Sequence, residues 1–378
     1  MAKRAVVIGA GAMGAGTARA LADRGFEVIV VEQFGAPNTL GGSGHHSRSF
    51  RLSHGTREEV RLAIRALELW TELERRSGAQ LLIRHGILQR GSVVPPHATA
   101  LAAENVPFDE LDANDVQRIF PELRPKPDER AIFQPDGAVI RARDSIVVQL
   151  ELARAKGATV HTNEKATAVM PIGDGVRVFT RRRRIDADVC VICAGPWSLP
   201  LLTPLGIEIP LRAGLAQVTF FRSRHEGWEL RPGLMERTGG PGVYGMPEPG
   251  RGFKLGFAAL NPNTFWKSSK VRPHDREIEN ELIERVREDF PGLDPAPVES
   301  EAGPFTVTPD ETFAFGRRGP VVVGAACTGH AFKFSPVIGE LLADLADGHG
   351  LHPDAASYSL DRPELAVPKL RGRVAIGA

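Results

Sequence analysis

The chain has 378 residues, with 47 Lys plus Arg against 46 Asp plus Glu and a formal charge of +1. That balance offers no electrostatic case for nucleic acid or a membrane surface, and the length exceeds one simple core, so two intertwined domains are expected. Only three cysteines (Cys190, Cys193 and Cys327) argue against a disulfide scaffold, and no apolar run reaches bilayer-spanning length.

Met1-Ala2-Lys3-Arg4 runs straight into apolar residues, with no room for a signal peptide, so a cytoplasmic location is expected. Arg4–Ile8 reads as a buried strand, and Gly9-Ala10-Gly11-Ala12-Met13-Gly14 follows it. A helix pattern over residues 15–24 sets Ala18, Leu21 and Ala22 on one face. Gly25 ends it, and Glu27–Val31 is a second strand closing on Glu32. Strand, G-x-G-x-x-G, helix, strand and acid together form the context a dinucleotide fingerprint requires. Gly9 permits the tight turn, Gly11 lets the backbone approach a pyrophosphate, and Gly14 lets helix and strand pack closely. Free amides and the dipole at the helix start favour phosphate charge. Glu32, eighteen residues after Gly14, can accept ribose hydroxyls and would repel a 2′-phosphate. NADP is therefore disfavoured, while NAD and FAD both remain open.

Residues 41–51, rich in glycine and histidine, show neither helical nor strand period and read as a loop, either one carrying functional residues or a surface loop with two exposed arginines. Arg48 and Arg51 would face one way if a helix began here. His45 and His46 lack a second ligand cluster at metal spacing. Arg57–Ser77 is an amphipathic helix, with Val60, Ile64, Leu67, Trp70 and Leu73 at helical spacing and Gly78 stopping it. Trp70 reads as core. Residues 81–90 suggest one strand, and Pro95-Pro96 a loop. Residues 101–120 are partly helical, residues 131–133 a strand, and Asp136-Gly137 a turn.

Residues 144–156 are helical, capped by Gly157-Ala158. Residues 159–162 and 166–169 are strand-like, Gly173-Asp174-Gly175 is a hairpin turn, and Arg181 to Arg184 form a solvated hairpin tip. Cys190 and Cys193 match C-x-x-C, but their apolar run reads as a buried parallel strand. Positions three apart there face opposite ways, so the thiols should not meet. That strand ends in the small-residue turn Ala194-Gly195-Pro196-Trp197, which can bring backbone against a cofactor. Residues 217–221, 242–246 and 253–257 alternate as a separate antiparallel sheet. Within it Lys254 is costly unless it acts or points to water. Residues 275–290 are helical, residues 306–311 a turn, and residues 321–326 a buried strand. That strand leads through Cys327-Thr328-Gly329-His330-Ala331-Phe332-Lys333-Phe334 into a helix over residues 337–347. This offers the cofactor a second helix N-terminus. No second G-x-G-x-x-G is present, so a further nucleotide such as NADPH lacks its usual site.

Together these pieces resemble the monomeric sarcosine oxidase and N-methyltryptophan oxidase group, within the glycine oxidase and D-amino-acid oxidase superfamily of flavoenzymes. The similarity spans nearly the whole chain. It is carried by Gly-Ser-Gly-His-His-Ser-Arg-Ser-Phe-Arg at 42–51, Lys254-Leu255-Gly256, Thr308-Pro309-Asp310-Glu311, and the run from Gly329 to Phe334. It implies an α/β protein: a Rossmann-like FAD-binding domain of glutathione-reductase-2 type plus an antiparallel-sheet α+β substrate domain. The first would comprise residues 1–85, 143–210 and 303–378, the second residues 86–142 and 211–302.

The resemblance also implies roles. FAD would lie along Gly9, Ala10, Gly11, Ala12, Met13, Gly14, Glu32 and Gln33. Gly42, Ser43, His46, Ser47 and Arg48 would also bind it, as would Ala166 at the adenine, Ala194, Gly195 and Trp197. Gly303, Gly329, His330, Ala331, Phe332 and Lys333 complete that set. Arg51 and Lys333 would clamp a substrate carboxylate, with Tyr244, Phe305, Ala258 and His330 around the substrate. Lys254 and Arg48 would be catalytic, Lys254 by helping O2 accept electrons, since a fixed cation stabilises developing superoxide. No metal is implied.

Three departures from the family pattern matter. Its flavin-linking cysteine falls at Gly303, so noncovalent FAD is expected. An active-site tyrosine is Phe305, and a histidine beside the substrate is Ala258. Both changes make the pocket less polar, and the second makes it larger. The implied reaction oxidises the C–N bond of an N-substituted amino acid or glycine-like amine to an imine, with O2 reduced to H2O2. The substrate would be bulkier than sarcosine, such as an N-methyl or N-carboxymethyl amino acid of a biosynthetic pathway. A small-molecule substrate, O2 and a monomeric chain are the expected partners and state. A dehydrogenase using another acceptor, a nicotinamide-dependent reductase and a non-catalytic flavoprotein subunit remain open alternatives.

Overall fold

Short runs of β-branched residues, each closed by a glycine or a small-residue turn, build the first sheet. In the computed structural model, which describes residues 2–238, 241–258 and 274–365, this sheet has six strands. Their order is Ala314–Arg318, Val321–Ala325, Val189–Ile192, Arg4–Ile8, Glu27–Val31 and Thr159–His161. All pairs are parallel except the edge pair of Ala314–Arg318 with Val321–Ala325. Both faces are covered, as buried parallel strands require. Ala5, Val7, Val189, Val191 and Cys193 face one core together with the helices Ala12–Asp23, Ala142–Ala155 and Ser335–Asp347. Val6, Ile8, Cys190 and Ile192 face another, beneath the three-stranded antiparallel sheet of Ala166–Ile172, Gly175–Thr180 and Arg184–Ala187. The two thiols thus sit on opposite faces, as strand alternation demands. Arg181 to Arg184 are exposed at the hairpin tip.

Two glycines let the first and last helices of this layer touch backbone to backbone. A Cβ on Gly16 would lie 2.3 Å from the Ser335 carbonyl oxygen, and one on Gly339 would lie 2.3 Å from that of Gly16. The helix Arg57–Ser77 has the predicted bounds. Thr56 caps it by accepting from the Glu59 amide, and Gly78 ends it in the left-handed region at φ 70°.

The second sheet has eight strands in the order Leu293–Val307, Arg212–Ser223, Gly252–Phe257, Val243–Glu248, Gly233–Arg237, Ile87–Gly91, Ala131–Gln134 and Asp109–Leu111. Only the pair of Gly233–Arg237 with Ile87–Gly91 is parallel. The helices Ala113–Ile119 and Arg276–Asp289 pack on it through Val116, Ile278, Leu282 and Val286. A three-stranded sheet of Ser47–Phe50, Ala138–Arg141 and Leu82–Arg84 lies beside it in sequence. The α/β class with a separate antiparallel sheet is therefore as expected.

Several local expectations are corrected. The first helix starts at Ala12, inside the fingerprint, because Gly11 in an extended conformation already serves as its N-cap. The loop after residue 41 ends in the strand Ser47–Phe50, paired antiparallel with Ala138–Arg141, so Arg48 and Arg51 do not share a helical face. The single strand at 81–90 is two strands in different sheets, broken at Gly86, whose φ of 75° turns the chain. Pro95 and Pro96 lie in the first turn of the helix Val94–Ala103, where missing amides cost nothing. The strand Leu293–Val307 runs through Thr306, leaving the turn to later residues. Residues 259–273 and 366–378, assigned by the sequence to the two domains, lie outside the described residues.

Candidate functional site

The carboxyl ends of the parallel strands meet the eight-stranded sheet across one cavity of about 670 Å3. Ile8, Val31, Ala194 and Ala325 close it on one side, and Val218, Tyr244, Met246 and Lys254 on the other. Gly9 turns the chain at φ 101°, and a Cβ there would lie 2.4 Å from the Cys193 carbonyl oxygen. A Cβ on Gly14 would lie 1.9 Å from the Gly9 carbonyl oxygen. Gly14 is not on the cavity wall. Its contribution is the close helix–strand packing, and its assignment as a direct contact is corrected. Glu32 is buried, and its carboxylate accepts from the amides of Ala10 and Phe34, both at 2.8 Å. Burial pushes this carboxyl up, and the amides oppose that. Ser43 accepts from the Ala12 amide at 3.0 Å, tying the residue 41–44 loop to the helix start.

His46 is exposed and off the cavity wall, so its expected contact is also corrected. The reason is strand alternation entering Ser47–Phe50, which turns His45 and Ser47 inward instead. His45 lines the cavity, and its Nδ1 lies 2.8 Å from Glu301. Its ring fills the space beside Gly303, where a Cβ would come 2.6 Å from Nε2. The remaining residues assigned from the sequence all line this one cavity: Gly9 to Met13, Glu32, Gln33, Gly42, Ser43, Ser47, Arg48, Arg51, Ala166, Ala194, Gly195, Trp197, Tyr244, Lys254, Ala258, Gly303, Phe305 and Gly329 to Lys333.

At the far end the wall becomes cationic. Lys254 is 3 % exposed, and its Nζ donates to the Ser47 carbonyl at 3.0 Å and to the Ser47 hydroxyl. The Ser47 hydroxyl in turn donates to Glu248, whose carboxylate is 3.4 Å from Nζ. Burial pushes Lys254 down to about 8, against the pull of Glu248. Arg48 donates to the carbonyls of Ser47 and Gly42 at 2.7 and 2.8 Å. Arg51 donates to the Ser53 carbonyl, and burial pushes it down to about 10. Lys333 donates to the His330 carbonyl at 2.7 Å, and burial with the Arg51 charge holds it well below the usual lysine range. Among the described residues, none of Arg48, Arg51 and Lys333 makes an ion pair.

The turn carrying Lys333 is strained. Ala326, Thr328 and Gly329 have φ of 59°, 45° and 73°, conformations that persist only when surroundings hold them. Thr306 supplies that hold, accepting from the Thr328 amide at 2.7 Å and from the Cys327 amide at 3.2 Å. Trp70, fully buried in the core as expected, donates its indole N–H to the Lys333 carbonyl at 2.8 Å.

Sequence reasoning missed Glu248, Glu301, Thr306, His54 and His97. Glu248 was legible in principle: Met246 pairs with Lys254 across the hairpin, so Glu248, two residues on, shares the face of Lys254. The others depend on contacts between distant segments. Among the described residues no group of three or more His, Cys, Asp or Glu could hold a metal ion, and no helix is long and apolar enough to cross a membrane.

The cavity fits a dinucleotide. Gly9, Gly11 and Gly42 line it where neighbouring segments pack too closely for a Cβ, and it runs from amides and a ribose-matching carboxylate to a cationic end. Comparison with known proteins agrees. The chain is 32% identical over 373 residues to the monomeric sarcosine oxidase of Streptomyces avermitilis, covering 92% of this chain and 94% of that one. It is 26% identical over 374 residues to the N-methyl-L-tryptophan oxidase of Escherichia coli, covering 94% and 98%. A solved structure of NikD, an unusual amino acid oxidase essential for nikkomycin biosynthesis, superposes with a TM-score of 0.82 at 26% identity, over 94% of this chain and 97% of that one. The FAD dependent oxidoreductase family model, DAO, matches residues 4–345. The chain therefore belongs to the DAO family of FAD-dependent oxidoreductases.

Proposed function

We propose that the protein oxidises the C–N bond of an N-substituted amino acid to an imine, with FAD held noncovalently and O2 reduced to H2O2. The observation that carries this reading is the pair Arg51 and Lys333. Both face the cavity, both donate to backbone carbonyls, and neither makes an ion pair among the described residues, the carboxylate of Glu59 on the same cavity wall reaching them only through its field. A substrate carboxylate supplies the missing counter-charge through charge-assisted hydrogen bonds. It also favours the charged form of Lys333, because an adjacent anion stabilises the ammonium.

When bound, FAD supplies the electron sink for the oxidation. The chain supplies position and charge. Arg51 and Lys333 hold the carboxylate and so aim the carbon beside nitrogen. Arg48, fixed by two carbonyls, contributes a cation beside Phe332, its guanidinium 5.6 Å from the ring centroid. Lys254, tethered by Ser47 and Glu248, keeps an ammonium in a dry pocket where it stabilises developing negative charge on O2. Gly303 offers no thiol to the cofactor, which supports noncovalent binding. Phe305 and Ala258 add apolar wall and space, which supports a substrate larger than sarcosine. The six-stranded layer and the eight-stranded sheet support the division into a cofactor part at residues 1–85, 143–210 and 303–378 and a substrate part at residues 86–142 and 211–302. The same reading takes the chain as a cytoplasmic monomer.

A peroxide-coupled screen of secondary and primary amino acids tests the proposal. One peroxide should form per amine oxidised, with N-substituted amino acids preferred. If no amino acid reduces the bound flavin under anaerobic conditions, the proposal is wrong. If amino acids reduce it but O2 does not reoxidise it, the dehydrogenase reading replaces it.

A further inference from the structure

Arg251 follows the Pro249-Gly250 turn between the strands Val243–Glu248 and Gly252–Phe257, and its amide donates to the Glu248 carbonyl at 3.0 Å. Its side chain lies across the buried ring of Phe220, with the guanidinium carbon 4.1 Å from the ring centroid. There it meets three carboxylates. Nη1 donates to Glu248 at 2.8 Å, Nε to Glu299 at 2.6 Å, and Nη2 to Glu301. The sheet register explains the meeting. Glu299 pairs with Phe220, and Phe220 with Lys254, so this row of residues joins the edge strand Leu293–Val307 to the hairpin. The planar fork of an arginine suits several acids at once, where a lysine offers a single point of charge.

Two of these acids divide their oxygens in the same way. Glu248 gives Oε1 to Arg251, while its Oε2 accepts from the Ser47 hydroxyl and lies 3.4 Å from Lys254 Nζ. Glu301 gives Oε1 to Arg251, and its Oε2 lies 2.8 Å from His45 Nδ1. A carboxylate only accepts, so the imidazole proton sits on Nδ1. Lys254 and His45 line the cavity, whereas Arg251 and Glu248 do not. One guanidinium behind the wall therefore holds the acids that serve two groups on it. The arrangement is a competition, because a carboxylate shared between two partners bears less on each than one that serves a single partner. The charged groups facing Lys254 are Glu248 from its own hairpin, Arg48 from Ser47–Phe50 and Glu301 from Leu293–Val307. Those facing His45 are Glu301, Arg48 and Lys254.

We infer that Arg251 is a positioning residue for the O2 step: by holding one oxygen of Glu248 and one of Glu301, it limits how closely each carboxylate serves Lys254 and His45, and so keeps the Lys254 ammonium available to the cavity. This rests on the O2 role proposed above for Lys254. Without the guanidinium, Glu248 belongs to Ser47 and Lys254 alone, and Glu301 to His45 alone. Each cavity-wall group then holds its proton more tightly, because an undivided anion favours the charged form of its neighbour.

Two titrations of the FAD-loaded protein test this, with Arg251→Met compared against the parent and Arg251→Gln used if Arg251→Met does not fold. In stopped-flow reoxidation of the anaerobically reduced enzyme between pH 6 and pH 10, the fall in rate should move up by about one pH unit. At pH 9 the variant should then keep roughly five-fold more of its own low-pH rate than the parent keeps. In NMR of protein carrying labelled histidine, with the His45 signal identified by its loss in His45→Gln, the His45 titration should also move up. Arg251→Lys, which keeps the charge, should return both values most of the way. In the Glu248→Gln background, Arg251→Met should leave the reoxidation profile nearly unmoved, because its effect passes through that carboxylate. An unmoved or lowered value at either group overturns the inference. So does a full shift that persists without Glu248, since Arg251 would then act on Lys254 only by its own distant charge. If Lys254→Met leaves reoxidation unchanged, the O2 role of Lys254 fails by itself, and the His45 titration alone decides whether Arg251 holds these acids.

Discussion

Glu248→Gln isolates what the buried carboxylate does for Lys254. The substitution keeps one acceptor, which can serve the Ser47 hydroxyl, and removes the charge together with the oxygen that accepts from Arg251 at 2.8 Å. With Nζ 3.4 Å from Glu248, an effective dielectric of about 20 gives an attraction of about 5 kcal/mol. Much of that is offset by solvation responses, but a fraction of it, about 1.4 kcal/mol, already corresponds to ten-fold in the protonation equilibrium. Lys254 titrates at about 8, lowered by burial and supported by Glu248. In the proposed role of Lys254 the charged form is the one that assists O2. Reoxidation in the parent protein should therefore be fast below pH 8 and fall as pH rises through it. In Glu248→Gln the fall should come about one pH unit lower, with a loss of roughly three-fold at pH 7.5 that recovers on acidification. Stopped-flow mixing of anaerobically reduced enzyme with O2 from pH 6 to pH 9 reads this directly. An unchanged inflection in Glu248→Gln refutes the reasoning. A loss equal at every pH would mean that Glu248 only shapes the pocket.

Lys254→Met should slow reoxidation by O2 far more than anaerobic reduction by substrate, and equal losses in both half-reactions would remove Lys254 from the O2 step. Arg51→Ala and Lys333→Ala should each raise KM by roughly 10- to 100-fold, the worth of a lost charge-assisted hydrogen bond, as steady-state kinetics would show. Acid precipitation should release the flavin into the supernatant. Gly303→Cys should still release it, because His45 Nε2 would lie 2.6 Å from the new Cβ and the ring must move before a thiol fits. Gly339→Ala should destabilise the fold by roughly 1–3 kcal/mol in chemical denaturation, since its Cβ would lie 2.3 Å from the Gly16 carbonyl oxygen.

By itself the sequence determined the elements whose signals lie within a few residues of each other. The fingerprint works because Gly9, Gly11 and Gly14 meet their constraints in one turn. The helix Arg57–Ser77 carries its own cap at Thr56 and its own left-handed stop at Gly78. Cys190 and Cys193 were separable because alternation along a strand is local. Tertiary structure alone decided the rest. Ser47–Phe50 becomes a strand only because Ala138–Arg141 pairs with it. Arg90, in a stretch read simply as strand, is fully buried against Glu129 and Glu236 at 2.6 and 3.0 Å, partners brought from other segments. His54, His97 and Arg237 reach one cavity from three separate stretches of chain. No period or spacing records such a meeting, because the free energy that brings them together comes from packing the two sheets around the cavity.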